Sequence, residues 1–263
     1  MPRMTKGFHI AARFQPIARM VGLDADAVFD HPKIKVWRKL PDRENCTLDI
    51  DLPDGGHGRW HIKRYTPPRR GVSPADAEVK GHGLLIEADL PTLTLVAHGA
   101  LDDGRSFVIT EDLAGYDAAD KLIESKATTF DALLAPTADL VATLHDASLH
   151  HRDLYLCHFF AKLHSSVVDD LRLIDVARVA RLANRFTRQR WIVKDLAQFW
   201  YSTLALDVTD AQRSAWLALY AERRQLKSIT ALQRSIERKA AWIGRHDRKL
   251  RKKQPTRNIS ISH

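Results

Sequence analysis

Between residues 46 and 113 the apolar residues fall in short runs with period two. The segments CTLDID, GRWHIKRY, TLTLVAHGAL and SFVITEDL are rich in β-branched and aromatic residues and bounded by turn chemistry, so they read as strands. One helix interrupts them, from about Ser73 to Ala88, with Ser73 as cap, Pro74 in the first turn and acids early. After Tyr116 the period changes. Leu140, Val141, Leu144 and Ala147 recur at three- and four-residue spacing, and further helices are expected near 193–206, 210–225 and 228–248. A chain that changes period once, with no internal repeat and no low-complexity linker, is restricted to an α+β fold. A small sheet-rich part carries one helix, and a larger helical part follows.

Composition adds bounds. With 263 residues and 44% hydrophobic content the chain can bury a substantial core. Two distant cysteines, Cys46 and Cys157, suggest neither a disulfide framework nor a cysteine zinc site. No apolar run approaches the roughly 18 residues a membrane span needs, and residues 1–30 lack a signal-peptide core, so a soluble, cytoplasmic protein is expected. The net charge of +9 is unevenly placed: from Glu222 onward thirteen Lys or Arg face three acids. Such a patch either aids solubility or attracts a phosphate-rich partner.

Strands with one embedded helix, followed by helices, is the order of a bilobal kinase. That architecture needs a phosphate cradle, a lysine, its carboxylate partner, a base-like aspartate and metal ligands, in that order. Gly55, Gly56 and Gly58 in DGGHGRWHIKRY supply a glycine-bearing hairpin, although the full GxGxxG is absent and a hairpin glycine alone means only a tight turn. Lys63 follows on the next strand, on the face of His61 and Tyr65. Fifteen residues later Glu78 stands near the middle of the predicted helix, a partner able to aim the lysine; Glu87, near the helix end, is its rival.

The stretch HHRDLYLCHFF, residues 150–160, carries the sharper signal. His151, Arg152 and Asp153 form H-R-D, and His158 stands five residues after Asp153, where a protein kinase has its second-metal asparagine. Asp153 is the candidate that accepts the proton of an attacking hydroxyl. His150 reads as a helix-end residue. Asp175, in LRLIDVAR, follows Leu171, Leu173 and Ile174 at the end of a buried strand, where a metal ion would offset the desolvation of its carboxylate. Val176 and Ala177 replace the Phe and Gly of D-F-G, against an ordinary protein kinase with a flipping activation segment.

The H-R-D-L-Y-L-C-H-F segment, L-I-D-V at Asp175 and R-W-I-V-K-D-L at 190–196 resemble the lipopolysaccharide core heptose kinases, the WaaP-type family of the Kdo/WaaP superfamily. I-K-R-Y at Lys63, V-A-H-G at 96–99 and I-T-E-D-L at 109–113 match in order. The resemblance implies a protein-kinase-like fold: a small β-rich N-lobe over 45–113 with one regulatory-type helix and a larger helical C-lobe over 114–253 ending in a basic helix; residues 1–44, outside the match, are expected as an N-terminal extension packing on or preceding the N-lobe, and the composition of 254–263 reads as a disordered tail. The resemblance also implies ATP and Mg²⁺ as cofactors, with His158 and Asp175 on the metal, and Lys63, Glu78, Arg152 and Asp153 as catalytic residues. Gly56, Gly58, Lys63, Glu111 and Asp112 would meet the nucleotide, the last two in the inter-lobe connection. Asp195 is expected to open a helix and bond the backbone of the H-R-D loop.

The implied acceptor is the inner-core heptose of lipopolysaccharide, on the cytoplasmic face of the inner membrane. Contact with that membrane or with anionic glycolipid falls to the helix SIERKAAWIGRHDRKLRKK, where Trp242 and Ile243 join a basic face. No nucleic acid is expected. Two alternatives stay open: a kinase of another glycan such as Kdo, and a pseudokinase binding module for anionic lipid or nucleic acid.

Overall fold

The computed structural model describes residues 7–52, 55–68, 72–182 and 184–253. It divides into two compact units, Met1–Gly83 with Leu93–Ala114, and Leu84–Thr92 with Gly115–His263.

The first unit is built on a six-stranded antiparallel sheet. In chain order it contains β1 (Gly7–Ile10), α1 (Gln15–Met20), α2 (Ala27–Asp30), β2 (Lys35–Lys39), β3 (Arg43–Asp51), β4 (His57–Tyr65), most of α3 (Pro74–Glu87), β5 (Leu95–Ala100) and β6 (Ser106–Glu111). The strand order is β1-β5-β6-β4-β3-β2. Alternation sends Cys46, Leu48, Ile50, Trp60, Ile62, Phe107 and Ile109 to one face, where Phe14, Ala18, Leu23 and Val28 bury them. The segment before residue 44 thus adds two edge strands and covers one face. Gly99 is required where β1 meets β5: a Cβ there would lie 2.1 Å from the Gly7 carbonyl oxygen and 2.6 Å from the Phe107 ring. The opposite face carries Tyr65 and Val108, against Ala75 of α3.

The second unit contains β7 (Tyr116–Ala118), α4 (Ala119–Glu124), α5 (Phe130–Asp146), β8 (Leu149–His150), β9 (Phe159–His164), β10 (Val167–Leu173), β11 (Ala180–Arg181), α6 (Arg185–Ser202), α7 (Asp210–Arg223) and α8 (Thr230–Lys253). Its core gathers Leu133, Leu144, Phe159, Leu173, Phe199 and Trp216, with the Phe199 and Trp216 rings stacked 4.0 Å apart. The α+β expectation holds, but this half is less purely helical than its period suggests. Strands β7, β9 and β10 form an antiparallel sheet, and Phe159 and Phe160 lie in β9. The β9–β10 turn is Ser165-Ser166, both at positive φ (50° and 68°), so a two-residue hairpin turn is made without the Asn or Gly that would announce it.

Two further expectations are corrected. Helix α6 starts at 185 and ends at 202, so Asp195 lies in its interior and does not open it. In α8, Ile243 is buried with Ile236 and Ala240, whereas Trp242 is 49% exposed on another face, with the Lys239 amine 3.6 Å from its ring centroid and His246 stacked on it. The expected disordered tail, 254–263, lies outside the described residues. Among those described, no helix is long and apolar enough to cross a membrane.

Candidate active site

Because β4 is a regular strand, Lys63 and Tyr65 project from the same face. Both reach Glu78 on α3. Lys63 Nζ donates to Glu78 Oε1 at 2.6 Å and the Tyr65 hydroxyl donates to Oε2. Glu78 is buried (3% exposed), and the lysine keeps about a quarter of its side chain in solvent. A buried carboxylate with both oxygens bonded is a rigid partner, so it holds the ammonium charged and aimed. Glu87 instead pairs with Arg181 at the surface.

In the second unit, the H-R-D loop hangs from one face of α6. The carboxylate of Asp195 accepts from the backbone N–H of His151 (2.7 Å) and of Arg152 (2.8 Å). Gln198 Oε1 accepts from Leu154 N–H (3.2 Å), and Ser202 Oγ accepts from Leu156 N–H (2.9 Å). Residues 195, 198 and 202 share a helix face by their i, i+3, i+7 spacing, and all three are buried. Burial would raise the Asp195 carboxyl, but the neighbouring His145 and His151, including the His151 amide, hold it below the usual carboxylate range. His145 lies behind it, Nε2 3.5 Å from Asp195 and Nδ1 2.8 Å from the Tyr220 hydroxyl. Arg152 adopts φ 69°, a strained value for a residue with a Cβ, and the paired Asp195 bonds on either side of its peptide hold it there.

The titratable groups of this loop have distinct posts. His150 is not a helix-end residue: α5 stops at Asp146, and His150 lies in β8, 3% exposed and stacked 4.8 Å from Trp191. Burial pushes its pKa down to about 4. His151 is fully buried, and burial followed by the neighbouring His158 lowers its pKa, keeping it neutral. Its Nε2 carries the proton, since it donates to the Ile174 carbonyl (3.1 Å). Ile174 N–H in turn donates to the His158 carbonyl (2.9 Å), tying the loop to the segment that bears Asp175.

His158 Nδ1 donates to the Asp153 carbonyl at 2.7 Å, which turns Nε2 toward Asp175, whose Oδ2 is 3.8 Å away. Asp175 sits in the left-handed region (φ 59°, ψ 55°) at the end of β10. One imidazole nitrogen and one carboxylate oxygen at this spacing can share a divalent ion. Among the described residues no group of three or more His, Cys, Asp or Glu is gathered for a metal. Two protein ligands suit a magnesium-type ion, which keeps several waters and takes the rest of its shell from substrate phosphates; the imidazole is the less usual member, since hard cations favour oxygen.

Comparison with known proteins decides what this constellation belongs to. The model of the lipopolysaccharide kinase (Kdo/WaaP) family matches residues 58–220. The chain belongs to this family. It is 32% identical to the lipopolysaccharide core heptose(I) kinase WaaP of Pseudomonas aeruginosa strain PAO1, covering 82% of this chain and 86% of that one. It is 30% identical to the protein of the same name from Escherichia coli, over 69% of this chain and 75% of that one. Among solved structures it is similar to WbdD at 16% identity and a TM-score of 0.47, covering 79% of this chain and 50% of that one.

In this member of the Kdo/WaaP family the remaining expected residues fall into two groups. Asp153, His158 and Asp175 come together, as do Lys63 and Glu78. Gly56 and Gly58 do not join Lys63: at about 3.3 Å per residue along β4, Gly58 is roughly 16 Å and Gly56 roughly 23 Å away. The physical reason is strand direction. The β3–β4 hairpin closes the start of β4, whereas Lys63 pairs with Asn45 near its end, beside the glycine-free turn Leu40-Pro41-Asp42. Gly58 instead lines a cavity of about 810 Å³ with Trp60, Glu111 and Asp112. The backbone N–H groups of Glu111 and Asp112 are already donated to the carbonyls of Thr94 and Arg59 (both 3.0 Å), so those two amides are not available to an adenine edge.

Three side chains that the sequence did not single out surround Asp153. Arg178 Nη1 lies 3.3 Å from each carboxylate oxygen, and Gln198 Nε2 donates to Oδ1 at 3.4 Å. Lys194 Nζ donates to the Arg152 carbonyl. The guanidinium of Arg152 itself lies over Trp191, 4.7 Å from the ring centroid.

Proposed function

We propose that the protein transfers the γ-phosphoryl group of ATP to a sugar hydroxyl of the lipopolysaccharide inner core, with heptose as the acceptor. The observation that carries this reading is identity of 29–32% over most of the chain to three proteins, each named a lipopolysaccharide core heptose(I) kinase. In this reading Asp153 orients the acceptor hydroxyl and takes up its proton, the loop being held still by Asp195, Gln198 and Ser202. Lys63, aimed by Glu78, meets phosphate charge on the nucleotide. His158 and Asp175 would hold Mg²⁺, which when bound would supply positive charge against the phosphates of the nucleotide.

Incubation with ATP, Mg²⁺ and a panel of dephosphorylated lipopolysaccharide cores, read by mass spectrometry, tests the reading. A mass gain of one phosphate on heptose is expected. Phosphate on Kdo alone would move the acceptor, and ATP binding without transfer to any core would favour the pseudokinase.

The reading extends to location. Arg245, Arg248, Lys249, Lys252 and Lys253 are exposed along α8, suited to peripheral contact with an anionic membrane surface at the cytoplasmic face. Replacing all five by glutamine is expected to weaken binding to anionic vesicles, with the difference vanishing at high salt. Unchanged binding at low salt would leave these residues a solubility role only.

A further inference from the structure

Asp153 is not left open to solvent. Arg178, at the end of the short turn Val176–Arg178 that follows Asp175, covers its carboxylate, and both side chains keep partial exposure (50% and 25%). The contact is loose: one nitrogen, Nη1, approaches both oxygens at 3.3 Å, instead of the two parallel bonds of about 2.7–2.9 Å that a guanidinium makes with a well-seated carboxylate. Such a pair is weak and exchangeable. Lys194 lies close by. Burial and then the charge of Arg178 push its pKa down to about 8, with Arg152 adding to the repulsion, even though Asp195 and Asp153 act to raise it. The mouth of the loop therefore carries Arg178 on the carboxylate of Asp153, with the charges of Lys194 and Arg152 nearby. The catalytic posture assigned to Asp153 requires that carboxylate to be freed for a hydroxyl.

We propose that Arg178 and Lys194 form a binding site for an acid group, phosphate or carboxylate, carried by the acceptor, and that Arg178 exchanges Asp153 for that group as the acceptor binds. The inference rests on the sugar-kinase reading, since it assigns Asp153 to the acceptor hydroxyl. A phosphate or carboxylate offers Arg178 two short charge-assisted bonds in place of two long ones and relieves the repulsion on Lys194. Uncovering Asp153 is then driven by an acceptor that carries its acid group near the reacting hydroxyl. A neutral acceptor must break the Arg178–Asp153 pair without a replacement. Arg178 and Lys194 thus act as specificity-determining residues, and the source of the oxyanion is the acceptor, because Arg178 covers the carboxylate that faces it and Lys194 lies within the electrostatic reach of both.

The test uses the full chain with ATP, Mg²⁺ and two matched core acceptors, one bearing its acid group beside the reacting sugar and one with that group removed or reduced. Wild type is expected to prefer the acidic acceptor by about tenfold or more in kcat/KM, the scale of a charge-assisted hydrogen bond. Arg178→Gln and Lys194→Gln are expected to bring that ratio toward one, and Arg178→Lys to restore part of it, with KM for ATP within about twofold throughout. Equal loss on both acceptors, or a loss that falls on KM for ATP, overturns the inference; the second outcome assigns the cations to the nucleotide. A wild type that uses both acceptors equally overturns it and leaves the sugar-kinase reading standing. A wild type that phosphorylates neither removes both.

Discussion

The two units hold their charged residues by opposite means. In the first, Lys63 is aimed by the buried carboxylate of Glu78, itself steadied by the Tyr65 hydroxyl. In the second, Asp153 rides on a loop whose backbone amides are met by three side chains of one helix, and His145, Tyr220 and Arg224, bonded to one another, pack behind Asp195. A pair can be retuned by one substitution, whereas a buried network fails as a whole because each unsatisfied member is expensive in a low dielectric. The difference predicts where substitutions act on stability and where they act on turnover.

Asp195→Ala should have the largest effect. It leaves the buried amides of His151 and Arg152 without acceptors, and each donor left unsatisfied costs about 1–3 kcal/mol. Guanidinium unfolding is the measurement, and transfer should be lost with it. A midpoint within error of wild type would show that the loop is held elsewhere. Asp153→Asn should separate the two quantities. The carboxylate is partly exposed and loosely paired, so stability should hardly change, while transfer falls about 100-fold or more and ATP binding persists. Residual activity above about a tenth would remove Asp153 from the role.

Part of this organisation was legible beforehand, for physical reasons that can be named. The H-R-D loop and Asp175 were readable because their chemistry is bound to fixed spacing, and Glu78 because only one acid lies mid-helix opposite Lys63. The polar stripe of α6 was written in the sequence as Asp195, Gln198 and Ser202 along the apolar run that starts at Trp191, but a helix expected from near 193 put Asp195 at its opening turn. Arg178 had no signal, since its meeting with Asp153 depends on the chain reversal after Asp175. The distance of Gly56 and Gly58 from Lys63 was not legible, because turn chemistry marks where a hairpin is, and not which end of the following strand it closes. The β9–β10 hairpin was hidden by serines at positive φ.

Acid should disturb the second unit by a smaller amount than Asp195→Ala. His150 titrates at about 4 in the fold against about 6.5 in the unfolded chain, so between those values the unfolded chain binds a proton that the folded one does not. The contribution is fully present above pH 6.5 and is lost as pH falls through 4, with His145 and His151, both lowered by burial, acting in the same direction. From the shift of His150 alone the loss is about 2–3 kcal/mol at pH 4. Denaturant midpoints at pH 7 and 5 should therefore differ less for His150→Gln than for wild type. Equal differences would place the acid sensitivity in other groups.

The smallest effects should come from the pair in the first unit, where they divide between two substitutions. Glu78→Gln keeps the shape of the side chain and removes the charge that steadies Lys63, so KM for ATP is expected to rise about tenfold, as when one charge-assisted bond is lost. Tyr65→Phe removes only the hydroxyl that donates to Glu78 Oε2, leaving the Lys63 bond in place. It should cost about 1 kcal/mol of stability, with KM for ATP changed by no more than about threefold. The order of the two is the informative part. If Tyr65→Phe raised KM as much as Glu78→Gln, the tyrosine would be a full member of a buried network. The first unit would then resemble the second in how it holds its charge.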